Sequence, residues 1–281
     1  MPLFPDPRVA VATLHGKAAA LAPALVPLGL ELLAVAVDTD ALGTFSGEVE
    51  RPGPAREVVI EKARRGMAAS GLRLGIATEA SFGPDPLVGF LPFHHELLAF
   101  VDEFHGQVLV LESGGRDTNW QSLAVATPAA AEPLLLACGF PEHAVLVRPN
   151  AGPPGLPVAK GLRDRGAVAA AIAAAAAHSA DGQARIETDM RAHMNPMRMR
   201  RIAALGHQLA ERLRSPCPAC GAPGFGLHAT LPGLPCAQCG TPTDLARAER
   251  HACAACGHAE ERPRADGRRE ADPGHCPECN P

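Results

Sequence analysis

At 281 residues the chain is long enough for one sizeable core and a small second unit. Its 26 basic and 30 acidic residues leave a net charge of −4, and one Trp and no Tyr offer few stacking platforms, which argues against a nucleic-acid partner. No basic segment followed by an apolar one opens the chain, and the Ala-rich run from Ala167 is too short to span a bilayer, so a cytoplasmic protein with no membrane partner is expected.

Short apolar runs alternate with helical patterns through the first two hundred residues. This predicts an α/β fold, a layered mixed sheet with flanking helices over residues 1–214, followed by a small zinc-ribbon domain over 215–281. Strands are expected at Arg8–Leu14, Leu32–Val37, Leu74–Thr78, Leu98–Asp102, Gln107–Leu111, Ala144–Arg148 and Arg185–His193. Helices are expected at Lys17–Val26, Arg56–Ser70, Pro128–Cys138, Gly166–His178 and Pro196–Leu213. The last is the best specified: Asn195 suits the N-cap, Pro196 the first helical position, and Ile202, Leu205, Leu209 and Leu213 form an apolar stripe. Arg198, Arg200 and Arg201 in its first turns oppose the helix dipole, so either a solvated basic face or a compensating anion is expected.

Polar residues gather after the predicted strands. Thr13, His15 and Lys17 follow the first, Asp38 and Asp40 the second, Glu79 and Ser81 the third, and Arg148 and Asn150 a later one. In open α/β sheets ligands bind outside the carboxyl ends of the strands, beside helix N-termini with free N–H groups. In "IETDMRAHMNP", residues Glu187, Asp189, Arg191 and His193 alternate, which would set them on one strand face running into the helix at Pro196. An anionic small molecule is the expected ligand, under a cover formed by the irregular stretch "DTDALGTFSGEVER".

Eight of nine cysteines form four Cys-x-x-Cys pairs: Cys217 with Cys220, Cys236 with Cys239, Cys253 with Cys256, and Cys276 with Cys279. Two such turns complete a tetrahedral site, so two structural Zn²⁺ ions are expected. The first two pairs enclose fifteen residues and the last two nineteen, which favours sequential pairing, with an interleaved cross-brace as the alternative. Gly221, Gly240, Gly257 and Asn280 follow the second Cys of each pair, where positive φ is expected. From Glu211 onward eight Arg face nine acidic residues, so a structural or protein-docking role suits this region better than nucleic acid. Cys138 is expected to be a buried apolar residue. "HHE" at His94–Glu96 shares letters with zinc deaminases, but lies about 120 residues before the first Cys pair and is set aside.

The segments "ATLHGK", "DTDALGTFSGEVER", "GIATEASFGP", "ETDMRAHMNPMRM", "CPACGAPGFG", "LPCAQCG" and "DPGHCPECNP" together resemble a bacterial family known only as a domain of unknown function, over nearly the whole chain. More faintly, the order of strand, "TLHGK", helix, loop, "KARRGMAASG" helix and "LGIATEASFG" is similar to the inosine/xanthosine triphosphate pyrophosphatases. That resemblance implies Lys17 on phosphate, Lys62 near it, and Glu79 as metal ligand or base. One Glu stands in "TEASFG" where that family often carries paired Asp, leaving Glu187 or Asp189 to complete the ligand set.

The expected function is therefore a metal-dependent hydrolase of a phosphorylated, nucleotide-like small molecule. Mg²⁺ or Mn²⁺ would sit on Glu79, Glu187 and Asp189; His193 or His15 would move protons; Thr13, His15, Lys17, Arg148 and Arg191 would bind the substrate. The alternative is a non-enzymatic adaptor that docks a protein partner through the zinc ribbons.

Overall fold

The computed structural model describes residues 3–13, 16–37, 42, 51–153 and 158–281. Two compact units emerge, one from residues 1–104 and 110–208, the other from 105–109 and 209–281.

In the first unit β1 (Arg8–Ala12), α1 (Lys17–Leu25), β2 (Glu31–Val35), α2 (Ala55–Ser70) and β3 (Leu74–Pro84) follow in order, then β4 (Pro92–Asp102) and β5 (Gln107–Gly115). The sheet order is β2-β1-β3-β4-β5. Strand β1 pairs in parallel with β2 and β3, and β4 returns antiparallel to β3 over eleven residues. The chain thus leaves β1 for β2 on one side, then crosses back to β3 on the other. This reversal is a topological switch point, and its crevice lies at the carboxyl ends of β1 and β3.

Opposite-side crossovers set α1 and α2 on opposite faces of the sheet. Helix α2 packs closely: a Cβ on Gly75 would come within 2.6 Å of Met67, and one on Gly66 within 3.1 Å of the Ala12 Cβ. Val59, Ala63 and Met67 of α2 are buried on this face, while Val9, Leu74 and Ile76, which alternate to the opposite face of the sheet, are buried there.

A second sheet has the order β6-β9-β7-β8, from β6 (Ser122–Val125), β7 (Val145–Pro149), β8 (Ala159–Leu162) and β9 (Ala184–Thr188). Its core joins Val145, Val147 and Ile186 to Leu134, Leu135 and Cys138 of α3 (Glu132–Cys138) and to Val168 and Ile172 of α4 (Arg165–Ala177). Cys138 is buried as expected, and burial pushes its thiol up. Pro133 lies in the first turn of α3, and the predicted helix from Pro128 divides there into a 3₁₀ turn over Pro128–Ala131 and α3. Asp164 caps α4 by accepting from the Ala167 N–H at 2.8 Å.

Helix α5 (Pro196–Leu213) matches its predicted bounds, with Asn195 Oδ1 accepting the Arg198 N–H at 3.0 Å. Ile202, Leu205, Leu209 and Leu213 are fully buried.

The second unit carries the antiparallel sheet β10 (Gly226–Pro232), β11 (Ala246–Ala252) and β12 (Ala259–Pro263), with the four cysteine turns around it. Gln107 Nε2 donates to the Pro223 carbonyl at 2.9 Å and ties residues 105–109 into this unit. No helix among the described residues is long and apolar enough to cross a membrane.

Candidate functional site

Strand β1 stops at Ala12 while β3 runs on to Pro84, so the edge of β3 beyond Ala77 has no backbone partner from β1. Side chains take up its carbonyls. Lys17 Nζ, at the start of α1, donates to the Thr78 carbonyl at 3.4 Å, and Arg51 Nη2 donates to the Ala80 carbonyl at 2.8 Å. Glu79 lies between these carbonyls, 5 % exposed. Its Oε1 accepts from Arg51 at 2.7 Å and its Oε2 from Lys62 of α2 at 2.6 Å. One buried carboxylate therefore serves two cations.

Side chains alternate along a strand, so Thr78 and Ala80, with their partners Leu98 and Glu96, face away from α2. On that face Arg198 of α5 forms a fork with Glu96, Nε to Oε2 at 2.9 Å and Nη2 to Oε1 at 3.1 Å. Its third bond goes from Nη1 to the Met190 carbonyl at 2.7 Å. Both side chains are 1 % exposed or less. The anion that compensates the basic first turn of α5 is thus internal: Glu96 for Arg198 and Asp117 for Arg201, at 3.0 Å.

Lys17 is half-buried as a residue, but its ammonium end is enclosed. Burial first, and then Arg198 and Lys62, lower its pKa from 10.5 to about 7, against the opposing pull of Glu96 and Glu79. His193 is held below the usual imidazole value by burial and then by Arg191, with Asp189, Arg163 and Lys17 also in electrostatic reach.

The Lys17 shift makes a signed prediction. Between about pH 7 and 10.5 the unfolded chain holds a proton that the folded chain has lost, so this group makes stability rise with pH across that window. Below about pH 7 the folded state carries the full cost of the buried ammonium. Lys17→Met should therefore stabilise the protein by about 2 to 5 kcal/mol at pH 6, with the gain shrinking toward zero by pH 10.5, as read by denaturant melts of both proteins across that range.

The structure brings some of the expected site residues together and separates others. Lys17, Glu79, Lys62, Glu96 and Arg198 share the end of β1 and β3, with Thr13 at the end of β1 and His193 within reach of Lys17. Glu187 and Arg148 instead pair with each other at 3.1 Å on the second sheet, where Glu187 also accepts from Ser122. The single polar face expected over Arg185–His193 does not form. Strand β9 ends at Thr188, because the Asp189 carboxylate turns back to accept from the Arg191 N–H and guanidinium and from the Gly161 N–H. A 3₁₀ turn over Ala192–Met194 follows.

Glu79, Glu187 and Asp189 do not gather into a metal site, and among the described residues only cysteines form groups able to hold an ion. Both Glu79 oxygens already hold cations. His15, Asp38 and Asp40, together with Gly43, Thr44, Ser46, Gly47, Glu48 and Glu50 of the expected cover, lie outside the described residues. Thr78 and Glu96 stand at the site without having been expected there from the sequence, whereas Arg198 is one of the arginines expected to meet an anion. The signal available for Glu96 was a carboxylate inside the apolar run "FHHELLAFV".

In the second unit the four turns meet as two groups, Cys217, Cys220, Cys253 and Cys256, and Cys236, Cys239, Cys276 and Cys279. The pairing is interleaved, which corrects the sequential order favoured by spacing. The reason is the sheet: β10 and β11 connect the turns, and their antiparallel pairing of Gly226 with Ala252 returns the third turn to the first. Across the groups Sγ···Sγ distances are 3.5 to 3.9 Å. Tetrahedral ligation at about 2.3 Å sets sulfurs roughly 3.8 Å apart, whereas a disulfide needs about 2.05 Å. The residues present fit a tetrathiolate ion.

Each turn is closed alike, with the residue after the second Cys donating its N–H to the first Cys carbonyl at 2.9 to 3.0 Å. Gly221, Gly240 and Gly257 take φ of 75 to 76° there, while Asn280 closes its turn without positive φ, contrary to expectation. Crowded thiols share protons unequally. Cys239 falls to about 6 through Thr241 and then its cysteine neighbours, and Cys279 is pushed up to about 12 by Cys239 and then burial. Filling the site must therefore release protons.

These features define a mixed α/β protein with a cysteine-rich module carrying two four-cysteine clusters able to hold a metal ion. The chain belongs to the family described as Domain of unknown function (DUF6671), whose profile matches residues 62–281. No curated protein and no solved structure matches it.

Proposed function

We propose that this is a zinc-stabilised protein whose first unit receives the phosphate or carboxylate group of a small molecule at the ends of β1 and β3. One observation carries this: the enclosed Lys17 ammonium, beside Arg198 and Lys62, holds only a single long hydrogen bond among the described residues. Among the described residues Lys17, Arg51, Lys62 and Arg198 outnumber Glu79 and Glu96 there, by two charges while Lys17 is protonated, and an anion would offset the excess. The two cysteine groups take Zn²⁺, the ion that four thiolates at these separations suit best, and hold the turns of the second unit together.

Phosphoester or phosphoanhydride hydrolysis is the chemistry such a site would support. Lys17 and Arg198 would neutralise charge developing on phosphate, and His193, kept neutral, would take a proton from water. The reading does not pass through Mg²⁺ or Mn²⁺, since a divalent ion would have to displace Arg51 or Lys62 from Glu79. Inorganic phosphate, pyrophosphate and nucleoside triphosphates should each be titrated into the zinc-loaded protein. A melting temperature raised by several degrees at millimolar ligand, and the absence of that rise in Lys17→Met, is the expected result. Unchanged melting with all three would end the proposal, and phosphate release would identify the substrate.

The adaptor alternative draws on an open groove of about 640 Å³ in the second unit, lined in part by Arg212, Pro216, Phe225, Leu227, His251 and Arg262. Leu227 is 47 % exposed there, and an apolar side chain at a groove mouth is a common docking anchor.

A further inference from the structure

We propose that Lys17 is an amine nucleophile that forms an imine with a small anionic aldehyde or ketone held at the ends of β1 and β3. The inference rests on the anion-binding reading above and deepens it by naming a substrate class.

Four observations carry it. First, the lysine is enclosed, and its three N–H groups find one partner among the described residues, the Thr78 carbonyl at 3.4 Å. Lys62 by contrast is committed to Glu79 at 2.6 Å. Second, Thr78 Oγ1, on the residue whose carbonyl holds Nζ, is buried with no hydrogen-bond partner in a side chain 3 % exposed. Buried hydroxyls are ordinarily satisfied, so an unpaired one on the residue whose carbonyl holds Nζ leaves a donor open to a ligand oxygen.

Third, burial above all, and then Arg198 and Lys62 beside it, disfavour the charged form of Lys17 against the pull of Glu96 and Glu79, an arrangement that turns a lysine into a nucleophile. The resulting pKa of about 7 leaves roughly half the amine unprotonated at neutral pH. Fourth, the chain has 23 Arg and only three Lys, at positions 17, 62 and 160, and two of the three meet here. Arginine supplies cations everywhere else but does not lose its proton, so it cannot replace an amine that must.

The reaction balances without a further reagent. The Nζ lone pair adds to the carbonyl carbon, the C=O π pair moves to oxygen, and a proton passes from the now cationic nitrogen to that oxygen to give a carbinolamine. The unpaired Thr78 hydroxyl would donate to this oxygen. A second proton converts the hydroxyl into leaving water as the nitrogen lone pair forms C=N, and the iminium nitrogen then gives that proton back. Amine plus carbonyl becomes imine plus water, and the charge of Arg198, Lys62 and Arg51, which keep their own partners, would offset that of the anionic group. His193 is the titratable group within electrostatic reach of the amine that would relay these protons, while Glu96 and Glu79 stay paired with their cations.

The three lysines allow a test on the unmodified protein. Zinc-loaded full-length chain is mixed at pH 7 with pyridoxal 5′-phosphate, an anionic aldehyde, reduced with borohydride and mapped by peptide mass spectrometry. Lys17 should be labelled at least about tenfold faster than Lys160, and inorganic phosphate should slow that labelling. Labelling of Lys17 no faster than Lys160, in a protein that phosphate still stabilises, overturns the imine and leaves the anion site standing. If phosphate gives no stabilisation either, both readings fall. Fast labelling that phosphate does not slow overturns the placement of the carbonyl at the anion site.

Discussion

Serine at both Cys217 and Cys253 should lower bound zinc from two ions per chain to one, as counted by metal analysis of purified protein. Serine at both Cys217 and Cys236 should leave none. The reason is the interleaved arrangement, in which Cys217 and Cys253 share a site and Cys217 and Cys236 do not. Sequential pairing predicts the opposite pattern, so the two double variants decide between them. The energetic effect is large, because structural zinc contributes roughly 10 kcal/mol or more of apparent binding energy that is folding energy in a small module. With one ion left, the remaining site should keep its four thiolates, and chelation of that ion should then melt the sheet of β10, β11 and β12.

The second large effect is expected at Arg198. Arg198→Met leaves Glu96, which is 0 % exposed, without its counter-charge, and leaves the Met190 carbonyl without its donor. Breaking a buried pair by removing one partner typically costs about 3 to 5 kcal/mol. Chemical denaturation at pH 7 should show a loss of that size. The double variant Arg198→Met with Glu96→Leu should recover much of it, since removing both charges removes the uncompensated one. Equal loss in the single and double variants would show instead that packing around the guanidinium matters, not charge. The same substitution takes away a cation beside Lys17, so the amine should titrate higher in Arg198→Met than in the parent protein.

The legible parts of this chain are those set by near neighbours in sequence. Helix α5 could be placed to the residue because its cap, its Pro and its apolar stripe lie within eighteen residues and report one another. The cysteine turns were legible for the same reason, since a Cys-x-x-Cys-Gly segment closes its own hydrogen bond. Strand β3 was cut short at Thr78 in the prediction because "EASFG" is too polar and too small to read as a strand. It stays extended to Pro84 because β4 pairs with it residue by residue down to Pro92. The expected polar face at Glu187–His193 failed on a local competitor: Asp189 satisfies the backbone of its own turn more readily than it continues β9.

The sequence by itself determined that the protein is α/β with two four-cysteine groups, and that polar residues would collect at strand ends. Those properties follow from periodicity, residue type and short spacing. Only the tertiary structure decided which cysteine turns come together, that Glu79 pairs with two cations at once, and that the partner of Arg198 stands 102 residues earlier. Such pairings depend on strand order and helix approach. A buried charge takes whichever opposite charge the fold brings within about 3 Å, whatever the distance along the chain.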